Sequence, residues 1–553
     1  MSYPGWTRLR RWSQTGFLAL FLVLLSRTDF RGTFRRAGAD LRLPEPVNLF
    51  FRFDPLAAFS NALATGTLYR GLLWSLVIIV PTLVLGRFFC GWICPMGTLN
   101  HYFSTLKSES KRGKQLIDSN HYKSWQTTKY YLLIAVLLAS FFGSGIVGWL
   151  DPFSFLTRSF GLSFIPAANY AISAALKSIE HVVAVPVQFL IGIIRLWLNA
   201  TILSFKQPHF RQGFFLGLLF LFFLLLNFRI TRFWCRAICP LGALLGVASR
   251  WSILGLQKNH ESCDDCNRCL LHCQGGDNPV GSVPWHKSEC HLCLNCLGEC
   301  PHNGLAFKFF PTDTTAIIGP NLKRRQALTS IAAGAALIPL MRSTSAFSAE
   351  KNERLLRPPS ALEESDFLVR CIRCGECMKV CPNNALQPSF AQAGIEGVWT
   401  PVLVPRIGYC ESSCVLCSQV CPTGAIWETT PKSKGWTVDL ASDSKPIRIG
   451  TAFYDRGRCL PWAMATDCIV CEEWCPTSPK AIYMRPGDVF DAAGNPKQLK
   501  QPWVNPAQCV GCGACEYACP IHEHPAVYVL SIGETRSKTN QILLNRTKEK
   551  SAS

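Results

Sequence analysis

The 553-residue sequence predicts an α-helical polytopic membrane domain, built as a two-fold repeat of two-helix modules, followed by small α+β domains wrapped around four-cysteine runs. Three observations predict it. Hydrophobic residues make up 48% of the chain and its mean hydropathy is +0.16, more apolar than a wholly soluble chain of this length needs. The 28 cysteines stand mostly in Cys-x-x-Cys-x-x-Cys-x-x-x-Cys runs, a spacing that a disulfide framework does not require. Lys323 to Met341, KRRQALTSIAAGAALIPLM, divides twelve of them from sixteen. It is a twin-arginine pair followed by a mildly apolar run, the pattern that sends folded proteins out of the bacterial cytoplasm.

Arg8, Arg10 and Arg11 precede a first apolar run, Gly16 to Leu25, which is short for a hydrocarbon layer of about 30 Å and is read as a retained helix. Gly71 to Phe89, Tyr131 to Leu150 and Gly213 to Leu226 supply three more spans. Lys107, Lys111, Arg112, Lys114, Lys123 and Lys129 place the segment between the second and third spans in the cytoplasm. The seven arginines from Arg27 to Arg70 run against that bias, but Arg324 and Arg325 must start inside, which requires an even number of spans before them. Residues 164–205, broken by Pro166 and Pro186, read as helices on the outer surface, with a further pair of spans as the alternative. Each half places FDPLAAF or LDPFSFL before a long apolar helix that runs into LGRFFCGWICPMGTL or ITRFWCRAICPLGALL. Parallel halves of this kind commonly face each other across a shared site.

Three closely spaced thiolates cap one face of an iron–sulfur cubane, and a fourth, three residues on, reaches the neighbouring one. Cys263, Cys266, Cys269 and Cys273, followed by Cys290, Cys293, Cys296 and Cys300, therefore predict a small two-cluster ferredoxin-like domain. After the twin arginines stand Cys371, Cys374, Cys377 and Cys381, then Cys410, Cys414, Cys417 and Cys421. Cys459, Cys468, Cys471 and Cys475, with a stretched first gap, and Cys509, Cys512, Cys515 and Cys519 complete a four-cluster wire. Zinc is the competing reading, disfavoured by the close spacing. Cross-ligation among the last four runs is expected to pair the first with the fourth and the second with the third. Clusters are inserted in the cytoplasm, so such a domain must cross the membrane already folded, which gives the twin arginines a physical reason. Their plainer reading is as inside-positive flanks of a fifth helix.

Cys90, Cys94, Cys235 and Cys239 remain, one Cys-x-x-x-Cys-Pro from each repeat. If the halves are related by pseudo-symmetry, the four could jointly bind a seventh cluster; a redox-active dithiol, another metal and a structural role are the alternatives. Asp54 before Pro55 and Asp151 before Pro152 read first as helix N-caps. Their functional reading is that Asp54, Arg52, Asp151 and Arg158 border an outer quinol site where a carboxylate takes the proton. No Cys-x-x-Cys-His occurs, so covalent haem is excluded by motif, and no histidine pair stands within the strong spans to hold b-haem. The formal charge of +20 is offset by roughly −12 to −14 from six or seven clusters at about −2 each. The remaining Lys and Arg flank the spans, so nucleic acid is not the expected partner.

Residues 1 to about 312, with their four helices, two Cys-x-x-x-Cys-Pro motifs and two-cluster tail, resemble the NapH-type membrane ferredoxins of periplasmic nitrate reductase systems. Residues 323–540 resemble the NapG-type proteins, exported by twin arginines and carrying four cluster motifs with a stretched third. The chain is similar to a fusion of the two. The resemblance implies a quinol dehydrogenase, the electron-transfer subunit of an oxidoreductase system, that draws on the membrane quinol pool and feeds a periplasmic reductase or c-type cytochrome. The membrane module is also similar to oxidase-assembly ferredoxins, which implies, as the alternative, reduction of a metal centre during assembly of a respiratory enzyme.

The expected domains are 1–250, the four-helix membrane domain; 251–312, a cytoplasmic ferredoxin; 313–350, the twin-arginine-like fifth helix and linker; and 351–553, a periplasmic polyferredoxin. The predicted location is the bacterial inner membrane. At four Fe per cubane, anaerobic iron and sulfide analysis of the purified protein is expected to give about 24 Fe for six clusters or about 28 for seven. A value near one metal per four cysteines would return the runs to zinc.

Overall fold

The computed structural model describes residues 3–30, 42–43, 45–108, 113–180, 185–201, 204, 207–259, 261–276, 285–311, 322–349, 352–390, 392–436, 445–491, 493–537 and 540. Arg31, Arg35, Arg36, Lys111, Arg112 and linker residues 313–321 lie outside them. The chain forms two compact units, Met1–Ser26 with Val47–Ser163 and Gly213–Leu340, and Arg27–Pro46 with Phe164–Gln212 and Met341–Ser553. The division departs from a linear series of domains. Residues 251–312 join the helical unit, whereas the predicted outer segments 27–46 and 164–212 join the C-terminal one.

The main helices, in chain order, are α1 (Tyr3–Arg27), α2 (Pro55–Thr65), α3 (Leu76–Leu85), α4 (Pro95–Ser108), α5 (Thr128–Phe141) and α6 (Pro152–Ser159). They continue with α7 (Ile165–Glu180), α8 (Val185–Thr201), α9 (Gly213–Leu225), α10 (Pro240–Ala248) and α11 (Arg324–Ala349). Local chemistry sets their ends. Asp54 caps α2, Pro55 fills its first turn, and Gly66, at φ 66°, closes it in the left-handed conformation. Asp151–Pro152 opens α6 and Cys239–Pro240 opens α10 in the same manner.

The repeat seen in the sequence is a repeat of helices. One half runs α2, α3, α4 and the other α6, α9, α10, and the halves exchange contacts: α10 packs on α2, and α4 packs on α6. Helix α9, GFFLGLLFLFFLL, buries Leu216, Phe220 and Leu224 and turns Phe214, Phe215, Leu218, Phe222 and Leu225 outward. Helix α3 likewise exposes Leu76, Val77, Val80 and Leu83. A contiguous apolar exterior of this kind is rare on a chain surrounded by water.

Among the described residues one helix, Pro152–Glu180, in which α6 passes through a π-turn into α7, is long and apolar enough to cross a membrane by length and composition. Arg70–Leu85 and Gly213–Phe228 are apolar but shorter, about 24 Å each at 1.5 Å per residue. The predicted surface helices at 164–205 are α7 and α8, both largely in the C-terminal unit. The first turns of α11 pack on α5. Tyr131 Oη donates to Gln326 Oε1 at 2.9 Å, and a Cβ on Gly334 would lie 3.1 Å from the Ala135 backbone, so the glycine permits the close approach.

Small antiparallel pairs frame the cysteine runs. β1 (Leu254–Lys258), ahead of Cys263, pairs with β2 (Leu305–Phe309), beyond Cys300. β3 (Leu386–Pro388) pairs with β4 (Pro401–Leu403) between the first two C-terminal runs, while a bridge from Ala361 to Ile426 encloses both runs. β5 (Thr451–Tyr454) pairs with β8 (Val527–Leu530) around the last two, and β6 (Ile482–Phe490) and β7 (Pro496–Val504) form a hairpin between them. Three times, then, the backbone before one run pairs with the backbone after the next.

An ion-pair clamp closes the C-terminal unit. Buried Arg357 donates to Glu364 at 2.5 and 3.0 Å, and Arg536, near the far end of the chain, donates to the same carboxylate at 2.8 Å. Burial pushes the Glu364 carboxyl up, but the two guanidiniums outweigh it and hold it at about 2, below its ordinary 4.5. The clamp's stabilisation is therefore complete above about pH 4.5 and is lost as pH falls toward 2. Glu364→Gln is expected to destabilise the unit by about 1–3 kcal/mol at neutral pH, discounted because the side chain is partly exposed. Thermal bleaching of the visible absorption measures it, and the gap from the parent protein should narrow in acid.

Candidate iron–sulfur centres and the buried carboxyl pair

Cluster ligation requires the chain to curl tightly around a common centre. Residues beside the second cysteine of a run do so by entering the left-handed region: Asp265 and Asn267, Leu292 and Leu294, Arg373 and Gly375, Gly511 and Gly513. For the non-glycine residues this costs about 1–2 kcal/mol each, a strain that ligation must outweigh.

The fourth cysteine of each run leaves its own group. In the first unit one hollow is lined by Cys273 with Cys290, Cys293 and Cys296, and Cys300 stands with Cys263, Cys266 and Cys269. In the second, Cys381 joins Cys410, Cys414 and Cys417, and Cys421 joins Cys371, Cys374 and Cys377. Cys475 lines a hollow with Cys509, Cys512 and Cys515, and Cys519 one with Cys459, Cys468 and Cys471. The expected pairing of first with fourth and second with third run is thus corrected: neighbours in sequence exchange ligands, because the framing strands enclose adjacent runs. Among the described residues no three His, Cys, Asp or Glu side chains close on a single metal ion. Four thiolates on one zinc, at 2.3 Å each, would stand about 3.8 Å apart, whereas cubane ligands each hold a different iron and stand wider.

The four C-terminal sets form a series. Cys410 N donates to Cys512 O at 2.9 Å, which joins the set of Cys410, Cys414, Cys417 and Cys381 to that of Cys509, Cys512, Cys515 and Cys475. The sets containing Cys371 and Cys459 are the two ends. Arg406 fixes the last loop by donating to the carbonyls of Glu516, Cys519, Ile521 and His522.

In the first unit the two Cys-x-x-x-Cys-Pro motifs converge. Cys90, Cys94, Cys235 and Cys239 are all buried and are one another's electrostatic neighbours. Gly242 N donates to Cys239 Sγ at 3.2 Å, so the start of α10 points at sulfur. The surrounding cations are residues that the sequence reading passed over. Arg87 and Arg232 are wholly buried, and each stands three residues before the first cysteine of its motif, in Arg-Phe-Phe-Cys and Arg-Phe-Trp-Cys. That repeated arginine was the available signal. Nε and Nη2 of both guanidiniums have no hydrogen-bond partner among the described residues. A Cβ placed on Gly242 would meet Arg87 Nη2 at 2.9 Å and Cys239 Sγ at 3.5 Å, which puts this idle donor beside the cysteines. Four thiolates with unspent guanidinium donors fit a dianionic cubane, whose sulfides accept hydrogen bonds.

This site adjoins the two-cluster domain. A Cβ on Gly91 would fall 2.1 Å from His291 O, so only glycine lets the two loops touch. Trp92 Nε1 donates to Leu292 O at 3.0 Å, Arg10 to Cys293 O at 2.9 Å, and Arg236 to Cys273 O at 2.7 Å. Arg87, Lys129 and Tyr130 gather on Glu289 beneath. A cavity of about 620 Å³ lined by Arg10, His101, His272 and Glu299 opens beside Cys273 and Cys300, away from the carboxyl pair.

Asp54 and Asp151 do cap helices, as the plainer reading has it: Asp54 Oδ1 accepts from Leu56 N at 2.9 Å and Asp151 Oδ2 from Ser154 N at 2.7 Å. They also meet. Both are buried, and the two carboxyls are neighbours where the repeats join, each with one oxygen, Asp54 Oδ2 and Asp151 Oδ1, that has no hydrogen-bond partner among the described residues. Arg158, buried on α6, donates to Gly148 O at 3.3 Å, and Arg52 lies partly buried ahead of Asp54. Phe153 packs on Phe89, beside Cys90, at 6.1 Å, and Phe155 stacks on Trp234, beside Cys235, at 4.8 Å.

Comparison with known proteins agrees with this arrangement. A 4Fe-4S binding domain model matches residues 67–114 and 212–256, the two repeats that carry Cys-x-x-x-Cys-Pro; a 4Fe-4S dicluster domain model matches 370–425; and a second 4Fe-4S binding domain model matches 502–522. The methylamine utilization ferredoxin-type protein MauM of Paracoccus denitrificans is 32% identical over 203 residues, 36% of this chain and 79% of its own length. The ferredoxin-type protein NapG of Escherichia coli K12 is 32% identical over 179 residues, 32% of this chain and 71% of its own. No solved structure matches significantly.

Hydrogen bonds to ligand sulfur raise a cluster's potential because they favour the more negative, reduced form. Tyr454 Oη donates to Cys471 Sγ at 3.0 Å. Tyr454→Phe is expected to lower one C-terminal cluster's potential by roughly 20–60 mV, the equivalent of about 0.5–1.4 kcal/mol for one electron, in EPR-monitored titration. An unchanged set of potentials would deny the bond any electronic role.

Proposed function

The chain belongs to the ferredoxin-type iron–sulfur electron-transfer proteins that include MauM and NapG, and from that premise we propose that it oxidises quinol in the bacterial inner membrane and passes the electrons to a periplasmic reductase or c-type cytochrome. In this reading residues 1–312 are a NapH-type membrane ferredoxin fused to a NapG-type polyferredoxin, with six 4Fe–4S clusters and a seventh on Cys90, Cys94, Cys235 and Cys239. The observation that carries it is the meeting of two buried carboxyls and four buried cysteines in one unit, with Phe153 and Phe89 between them.

Quinol oxidation releases protons together with electrons, so its site needs a proton acceptor near a one-electron carrier. Asp54 and Asp151 supply the acceptor, Arg52 and Arg158 border it, and the four cysteines would hold the carrier. Each cubane, when bound, supplies reversible one-electron transfer. Arg87 and Arg232 place fixed positive charge and idle donors around the cysteines, which favours the reduced state there.

Insertion in a bilayer is supported by the outward apolar faces of α3 and α9 and by the length and composition of Pro152–Glu180. A periplasmic C-terminal unit is supported by the membership of segments 27–46 and 164–212, predicted outer loops, in that unit. Their contacts lie at the set containing Cys371: Lys379 pairs with Asp29 at 2.9 Å, and Asn384 donates to His209 O at 2.6 Å.

Anaerobic addition of menaquinol or ubiquinol to membranes carrying the protein is expected to reduce its clusters. If every cluster stays oxidised with both quinols, the reading fails. Asp54→Asn and Asp151→Asn should each slow the reduction about 10²-fold with the iron content unchanged; normal rates in both would leave these residues as helix caps alone.

A further inference from the structure

We propose that Asp54 and Asp151 form one unit that holds a single shared proton and takes up a second when the group bound by Cys90, Cys94, Cys235 and Cys239 is reduced. The inference rests on the assignment of a redox group to those cysteines, and not on quinol being its reductant.

The geometry requires the first proton. Each carboxyl gives one oxygen to its own helix start, Asp54 Oδ1 to Leu56 N and Asp151 Oδ2 to Ser154 N. Asp54 Oδ2 and Asp151 Oδ1 are buried without a hydrogen-bond partner among the described residues, and the two carboxyls are neighbours at 0% and 1% exposure. An ionised carboxylate only accepts, so these two idle oxygens can satisfy each other only where one of them carries an O–H. Two neighbouring like charges, both buried, cannot both persist, and the pair titrates as a unit.

The surroundings leave the pair open to a second. Of the elements packed around α2 and α6, helices α9 and α10 carry no ionisable side chain. Helix α5 carries Lys129 and Tyr130, both occupied by Glu289, and Tyr131, bonded to Gln326; α4 carries His101, beside Gln274, with Tyr102 and Lys107, and the turn Arg70–Ser75 that packs on α2 carries Arg70. Arg158, on α6 itself, is two turns from Asp151 and donates to Gly148 O, and Arg52 precedes Asp54. Toward the cysteines the intervening side chains are Phe153 against Phe89 and Phe155 against Trp234, apolar matter that screens charge poorly. An electron placed on the cysteine-held group therefore raises the proton affinity of the pair, and by reciprocity a proton on the pair raises the electron affinity of the group. The step balances: one electron comes from the reductant and one proton from water. The singly protonated pair becomes doubly protonated, and the net charge of the unit does not change.

The test is an EPR-monitored redox titration of the purified full-length protein at several pH values with chemical reductant and no quinol. The relevant signal is the one that Cys239→Ser removes, with iron falling from about 28 to about 24 per chain. Its midpoint should fall as pH rises, approaching about 59 mV for each tenfold change in proton activity, the value for one proton with one electron. The slope should vanish in Asp54→Asn and Asp151→Asn. A pH-independent midpoint in the parent protein, or a slope that survives both substitutions, overturns the proposal. Where Cys239→Ser does not fold, reduced-minus-oxidised infrared spectra of the parent protein decide: gain of a protonated-carboxyl band that Asp54→Asn abolishes supports it, and its absence overturns it. Failure of quinol to reduce the clusters while the slope persists would remove only the quinol assignment. An iron content of about 24 in the parent protein would remove the group on the cysteines and this inference with it.

Discussion

The constraint on which the structure depends is the exchange of the fourth cysteine between neighbouring runs. A run that kept all four ligands could fold by itself; a run that lends one cannot be completed until its neighbour is in place. That requirement brings the strand before one run against the strand after the next, as in β1 with β2 and β5 with β8, and it explains why the runs come in twos. It also gives the small sheets their work. With three to nine residues per strand they could not hold a domain by burial alone, and their stability comes from metal–sulfur bonds that also outweigh the strained left-handed residues.

The helical unit obeys a related rule with different chemistry. Its halves each contribute one helix opening at Asp-Pro and one opening at Cys-Pro, and α10 on α2 and α4 on α6 each pack a Cys-Pro helix of one half on an Asp-Pro helix of the other, while the two acids neighbour each other and the four cysteines gather across the join. Juxtaposed acids repel unless they share a proton, and juxtaposed thiolates repel unless a metal group or cations stand among them. The duplication thus creates two electrostatic problems in one place. The idle donors of Arg87 and Arg232 stand among the cysteines, and one unpartnered oxygen on each of Asp54 and Asp151 marks where a shared proton satisfies both acids.

Much of this was legible in the residues. The cysteine spacings disclosed the ligands, the Asp-Pro and Cys-Pro dipeptides disclosed helix starts, and the paired LGRFFC and ITRFWC segments disclosed the duplication. Ligand exchange was misread because spacing identifies which cysteines belong to a run but is silent on which run folds back on which; the framing strands, only three to five residues long in most cases, carry too weak a pattern to reveal it. The contact between Asp54 and Asp151 was hidden because a capping aspartate looks alike whether its second oxygen meets water or another acid. Segments 27–46 and 164–212 join the C-terminal unit through long-range contacts such as Lys379 with Asp29, which no local pattern encodes.

The bond from Cys410 N to Cys512 O joins the two paired-run halves of the C-terminal unit in series. In such a circuit the links are not interchangeable. Loss of a terminal centre shortens the conductor, but loss of either centre beside that bond splits it into two dead-ended halves, each still loaded and still reducible by a small molecule yet unable to pass current. An iron count would register the loss of an end centre and of a middle one equally, whereas only the second stops current, so the strictest demand for intact ligation falls on the middle of the series.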